Sequence, residues 1–178
     1  LIDVFGNREL LYRDVRIGCE DPIPLRARPV PPVVHSKLPA QPGRTGEVVL
    51  SDVYQGLGDV PRGTIRSIRV VQIFPKTTNV ANNPPVGMAG EENARAILGT
   101  VKVETDGSAR FLVPARTPLL FQALDADGMA YRTMRSLTYL QPGEKVSCVG
   151  CHEPRLTGPP NRVPLALSRP PQELDAGE

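Results

Sequence analysis

Apolar and polar side chains alternate in short runs through the middle of the chain, and the period of two predicts strands. Glu47 to Val53 reads as one strand, and Ile65 to Phe74, dense in β-branched residues, as a second. Val101 and Val103 then alternate with Lys102 and Glu104, Asp106-Gly107 marks a turn, and Ala109 to Val113 returns. Leu119 to Leu124 is the next strand, Asp125-Ala126-Asp127-Gly128 turns the chain again, and Met129 to Leu140 continues extended. Short strands parted by Asp-Gly turns predict an antiparallel meander within a mainly β, sandwich-like domain that Gln141-Pro142-Gly143-Glu144 closes. Glu91 to Ile97 is the one predicted helix, its acidic start suiting a helix N-terminus.

The flanks have a different texture. Ile2 to Phe5, the turn Gly6-Asn7 and Glu9 to Tyr12 have the form of a hairpin. An isolated hairpin is marginal in water, so residues 1–20 are expected to complete a sheet or propeller blade of a longer protein. Residues 21–45 form a Pro-rich extended linker, with Pro22, Pro24, Pro29, Pro31, Pro32, Pro39 and Pro42 enforcing a polyproline-like path. Residues 46–147 form the predicted β domain, and 148–178 a cysteine-histidine segment with an irregular tail. The loop from Pro75 to Gly90, rich in Asn, Pro and Gly, is long enough to suggest docking or binding.

Composition narrows the function classes. Among 178 residues there are 20 Pro and 16 Gly, and each interior Pro costs a helix about 3 kcal/mol, which excludes coiled coils and helical bundles. No apolar stretch reaches the roughly 18 residues of a membrane span. A net charge of +2 with 4% aromatic residues and no Trp argues against a nucleic-acid groove or a polybasic membrane patch.

The residues that carry chemistry are Cys148-Val149-Gly150-Cys151-His152, in the form C-x-x-C-H that fits covalent attachment of c-type haem. Two thiols three residues apart reach the two vinyl groups on neighbouring pyrroles, and an imidazole directly after the second thiol binds iron. Cys148 and Cys151 are thus the cofactor-binding positions and His152 the iron ligand. The motif uses two of three Cys and one of two His, which makes coincidence unfavourable. Two other readings stay open. A zinc site would add Cys19 or His35 as a fourth ligand, although adjacent Cys and His chelate one zinc poorly. A redox dithiol lacks the strand-helix context of a thioredoxin-type site. On the other side of the iron, His35 would give a bis-His centre, unless it is a plain surface residue of the linker, and Met88 a thioether that raises the potential; a ligand from another part of the protein, or none, stands beside them. Met129 and Met134 read as core residues. Asp106, Asp125, Asp127 and Glu153 form no twelve-residue calcium loop. Cys19 stands alone in Gly18-Cys19-Glu20, where a structural thiol is the default reading and a partner or metal contact the alternative.

Several blocks resemble the middle region of hydrazine synthase alpha-subunit-like proteins. They are Asp52-Val53-Tyr54-Gln55-Gly56, Pro61 to Arg66, Asp106-Gly107-Ser108-Ala109, Val113-Pro114-Ala115, Phe121 to Asp125, Thr133 to Ser136, Leu140 to Glu144, and Ser147 to Glu153. Asp3 to Leu10 is similar to the closing blade of the propeller that precedes this region. The resemblance implies a large exported protein, periplasmic or similar, with an upstream β-propeller, covalent haem c and a redox partner protein. Cys148 and Cys151 would be the thioether positions and His152 the motif histidine. It also implies a tyrosine shortly after the motif in the synthase, whereas the last one here is Tyr139. The chain therefore reads as part of a multi-domain, c-type cytochrome-like protein used for electron transfer or redox catalysis. The reading kept beside it is a non-catalytic assembly domain with a structural or zinc-binding Cys pair.

Overall fold

A computed structural model of the chain describes residues 1–33, 43–151 and 161–177. The chain divides into two compact units, Leu1–Ser36 and Lys37–Glu178. In the first, Ile2 bridges Arg8, and the Asp3 carboxylate accepts hydrogen bonds from the Phe5 and Asn7 N–H groups and the Asn7 amide. The turn closes over Asp3–Gly6, with the Gly6 N–H donating to Asp3 O, rather than at Gly6-Asn7; Ile2 to Phe5 and Glu9 to Tyr12 form no strands, so the expected hairpin is reduced to this one bridge.

Among the described residues the second unit has seven strands: β1 (Thr45–Leu50), β2 (Ser67–Ile73), β3 (Arg95–Lys102), β4 (Ala109–Pro114), β5 (Leu119–Leu124), β6 (Ala130–Thr133) and β7 (Lys145–Cys148). They form a three-stranded sheet, β4-β1-β7, and a four-stranded sheet, β3-β2-β5-β6. Every pairing is antiparallel except that of β1 with β7, which is parallel with Leu50 opposite Cys148. The mainly β, antiparallel, sandwich-like fold expected from the alternation is what forms.

Period-two burial explains why these residues make these strands. Val48 and Leu50 of β1, Ile68 and Val70 of β2, and Ala109, Phe111 and Val113 of β4 point into one core. The Phe111 ring meets Phe121 of the opposite sheet edge-on at 5.8 Å and 88°. Such a pair contributes about 0.5–1.5 kcal/mol beyond its buried area. On the outer face, the Glu47 carboxylate of central β1 takes Arg110 of β4 at 2.7 Å and Lys145 of β7 at 3.4 Å. One acidic side chain thereby ties all three strands of its sheet.

Three expectations are corrected. The segment predicted as a helix from Glu91 to Ile97 instead enters β3 at Arg95 and pairs Arg95, Ala96 and Ile97 with Ile73, Gln72 and Val71. A two-turn helix is weak on its own, and the β2 edge offers a ladder for the same backbone groups. The Asp106-Gly107 turn does not close a hairpin, because β3 and β4 lie in different sheets. Asp106 accepts from the Ser108 N–H and hydroxyl, and Gly107 O from the Val53 N–H, so the turn is held while the chain changes sheet. Finally, the strands do not stop at Glu144, since β7 follows at once.

In the tail, residues 161–177 are irregular in backbone apart from a 3-10 turn at Leu165–Ser168, yet they are held to both sheets. Gln172 bridges Phe111 on the edge of one sheet and Asp175 bridges Thr100 on the edge of the other. Gly99 permits this approach, as a Cβ there would lie 2.7 Å from the Asp175 carbonyl oxygen. The tail thus covers the β3 and β4 edges, and β6 and β7 are the edge strands at the opposite side. No helix among the described residues is long and apolar enough to cross a membrane.

Candidate functional site

Cys148 ends β7 and Cys151 follows the bend at Gly150; both are partly buried and pack against the hydrophobic core. Parallel pairing with β1 sets their position. Beyond the ladder, the Ser51 N–H donates to Cys148 O at 2.8 Å and the Asp52 N–H to Val149 O at 3.1 Å. Gly150 is then forced against the turn after β1. A Cβ at this position would overlap the Gln55 Cβ and carbonyl oxygen and come within 2.9 Å of Asp52 O. The small residue between the thiols is thus a packing requirement of this turn.

The turn that receives the thiol segment is itself clamped. Asp52 is 1% exposed, and its Oδ2 accepts from Arg62 Nη2 at 2.6 Å and pairs with Arg162 Nη2 at 3.1 Å. Its Oδ1 accepts from the Tyr54 N–H at 3.1 Å. The Tyr54 hydroxyl accepts from the Gly63 and Ile65 N–H groups, and the Arg62 guanidinium lies 5.0 Å from the Tyr54 ring centroid. Arg162 also donates to Ser51 O and Asp106 O. Gly107 completes the arrangement at φ +87°, where a Cβ would overlap Asp52 Oδ1. For Asp106, burial pushes the carboxyl up. Hydrogen bonds from the Leu165 N–H and from Ser108, with the charge of Arg162, outweigh it and hold the group below the ordinary carboxylate value.

Beside the thiols a cleft of about 320 Å³ opens between the sheets. Val48, Leu50, Ile68, Phe111, Phe121 and Ala123 form its apolar floor, and Cys148, Gly150 and Cys151 lie along it. Arg132, Met134, Ser136 and Thr138 line it from the strand β6 and the chain beyond. Among the described residues Arg132 is the only charged side chain in this lining, and its buried Nε has no hydrogen-bond partner.

The structure brings Cys148 and Cys151 together at the cleft. His152, Glu153 and His35 lie outside the described residues. Met88 is fully exposed in the 75–90 loop and does not line the cleft. Met129 is exposed, contrary to the core role expected of it, because it sits at the mouth of the β5–β6 turn. Met134 lines the cleft instead. Asp125 caps its turn by accepting from the Asp127 and Met129 N–H groups, as the Asp-Gly pattern implied. Cys19 is exposed in the first unit. Among the described residues no three His, Cys, Asp or Glu side chains gather as a metal site. Sequence reasoning missed Arg132, Gln55 and the Asp52–Arg62–Arg162 clamp. Period-two patterning would have placed Arg132 on the Met134 face, but nothing local marked that face as a cleft.

Fold and site together define a β-sandwich-like domain that ends one edge strand on a C-x-x-C-H segment. The chain belongs to the family described as the hydrazine synthase alpha subunit middle domain, whose model matches residues 63–153. It is 28% identical over 113 residues to hydrazine synthase subunit alpha of Kuenenia stuttgartiensis, covering 56% of this chain and 14% of that protein. The solved structure of Kuenenia stuttgartiensis hydrazine synthase is similar with a TM-score of 0.60 and 25% identity, over 74% of this chain and 21% of that one. The chain therefore spans less than a quarter of the length of either relative.

Proposed function

We propose that this domain carries a c-type haem bound covalently through Cys148 and Cys151, with His152 as an iron ligand, in an exported multi-domain protein that transfers electrons or catalyses a redox reaction. One observation carries the reading: the two thiols of a C-x-x-C-H segment lie along an apolar cleft, on a turn built to hold them still. The donor set fits the group. Each thiol adds across a vinyl double bond, sulfur to the carbon nearest the ring and its hydrogen to the terminal carbon, so no external oxidant or reductant is consumed. A bound haem would supply one-electron exchange at iron. Val48, Leu50, Phe111 and Phe121 would exclude water from the face of such a ring, and the Asp52 clamp would hold the attachment turn in register. Family membership supports an upstream propeller and a redox partner protein as neighbours. No tyrosine follows Tyr139 in the chain, and we do not assign hydrazine formation to it.

Production in a host competent for haem maturation tests the reading. Haem that survives acid-acetone extraction, and a mass increase of one haem lost in Cys148→Ser/Cys151→Ser, is the expected result. Wild-type protein with unmodified thiols would overturn it. A second reading, an assembly domain with structural thiols, is favoured by the packing of both Cys against the core. In that case the same material carries no haem, and a zinc assay tells a metal site from plain packing.

A further inference from the structure

Arg132 stands out because its Nε is a buried donor without a partner among the described residues, and an unsatisfied donor is costly, more so on a charged group. Among the described residues it is also the one charged side chain lining the cleft, beside an apolar floor and the neutral Ser136, Thr138 and Ser147. No ion pair or hydrogen bond to its guanidinium occurs among the described residues, whereas the partly buried Glu47 and the buried Asp52 both have arginine partners. A guanidinium placed this way is suited to an anion entering the cleft, and its planar fork matches a carboxylate. The thiols belong to the β7 lip and Arg132 to β6, the edge strand of the facing sheet. A porphyrin carries its vinyl groups and its propionates on different edges, so thiols and guanidinium address different parts of one molecule.

We infer that Arg132 binds a propionate carboxylate of the haem attached at Cys148 and Cys151, an assignment that rests on the haem reading above. A cation at the propionate disfavours the further positive charge of oxidised iron, so it raises the reduction potential. Ser136 and Thr138 also belong to the lining and offer neutral hydroxyl groups there.

The experiment compares mature wild-type protein with Arg132→Gln and Arg132→Lys. Covalent haem content is measured by mass and absorption, the midpoint potential by spectroelectrochemistry, and the propionate-bending band by resonance Raman. All three proteins are expected to retain haem. Arg132→Gln should shift the midpoint potential downward and move the propionate band toward that of a solvated carboxylate, with Arg132→Lys restoring part of both. The wild-type Raman band keeps the assignment testable if a variant fails to fold, since it must report a hydrogen-bonded propionate. Haem present with a solvated propionate band in the wild type, or an unchanged potential in Arg132→Gln, would overturn the Arg132 assignment alone. Wild-type protein without covalent haem would overturn the haem reading and this assignment with it.

Discussion

Gly150, between the two thiols, has its backbone pressed against Gln55, so closely that any side chain would collide with the Gln55 carbonyl. This contact joins the chemical motif to a turn nearly a hundred residues earlier. The geometry of the thiols is consequently a property of the β1 turn as much as of their own pentapeptide.

Gly150→Ala should test that dependence. Overpacking of this kind typically costs about 1–3 kcal/mol. We expect a lower urea midpoint together with reduced haem attachment, since Cys151 must move with the turn. A variant with unchanged midpoint and full attachment would show that the contact is not restrictive.

Asp52→Ala removes the acceptor shared by Arg62 and Arg162. The carboxylate is buried but Arg62 is half exposed, so the loss is expected below that of a fully buried pair, at about 2–3 kcal/mol. Chemical denaturation of Asp52→Ala, Arg62→Ala and the double variant forms the cycle that checks it. Strict additivity would refute the coupling.

Phe111→Ala should be among the most damaging core changes. Phe111 is buried, meets Phe121 edge-on and forms part of the cleft floor. A loss of about 3–5 kcal/mol is expected, read as a fall in the denaturation midpoint. Arg66→Ala, outside this cluster, serves as the control with little change.

Acid sensitivity follows from Glu47 and Asp106. Hydrogen bonding and charge from Arg110, with Lys145 adding to them, hold Glu47 below its ordinary value of 4.5 despite burial. Asp106 lies below its ordinary 3.8 through the bonds described above. The unfolded chain therefore takes up these protons first as pH falls. The stabilisation is complete above the ordinary values and is lost as pH drops through the lower folded ones. Glu47→Gln should flatten the decline of stability in that acid range, and identical slopes for variant and wild type would count against the assignment.

Much of the architecture was legible in the chain. Val48 and Leu50, Ile68 and Val70, and Phe111 and Val113 recur every second residue, and that period alone marks strands with one buried face. The Asp125 turn was legible because an Asx side chain and a following Gly satisfy the backbone locally. Glu91 to Ile97 misled because its acidic start speaks of helix ends, while the free edge of β2 decided its fate.

By itself, then, the sequence determined most of the strands, though not β7 or the start of β3, together with the tight turns, the spacing of Cys148 and Cys151 and the blocks shared with the family. These depend on side chains a few residues apart. The tertiary structure alone decided that β7 joins β1 in parallel, that Asp52 collects Arg62 and Arg162, and that Arg132 faces a cleft with the thiols. Alternation shows that a strand has a buried face but carries no record of its neighbours. Partners far apart in the chain are selected by the packing of whole sheets, so only the folded arrangement brings them together.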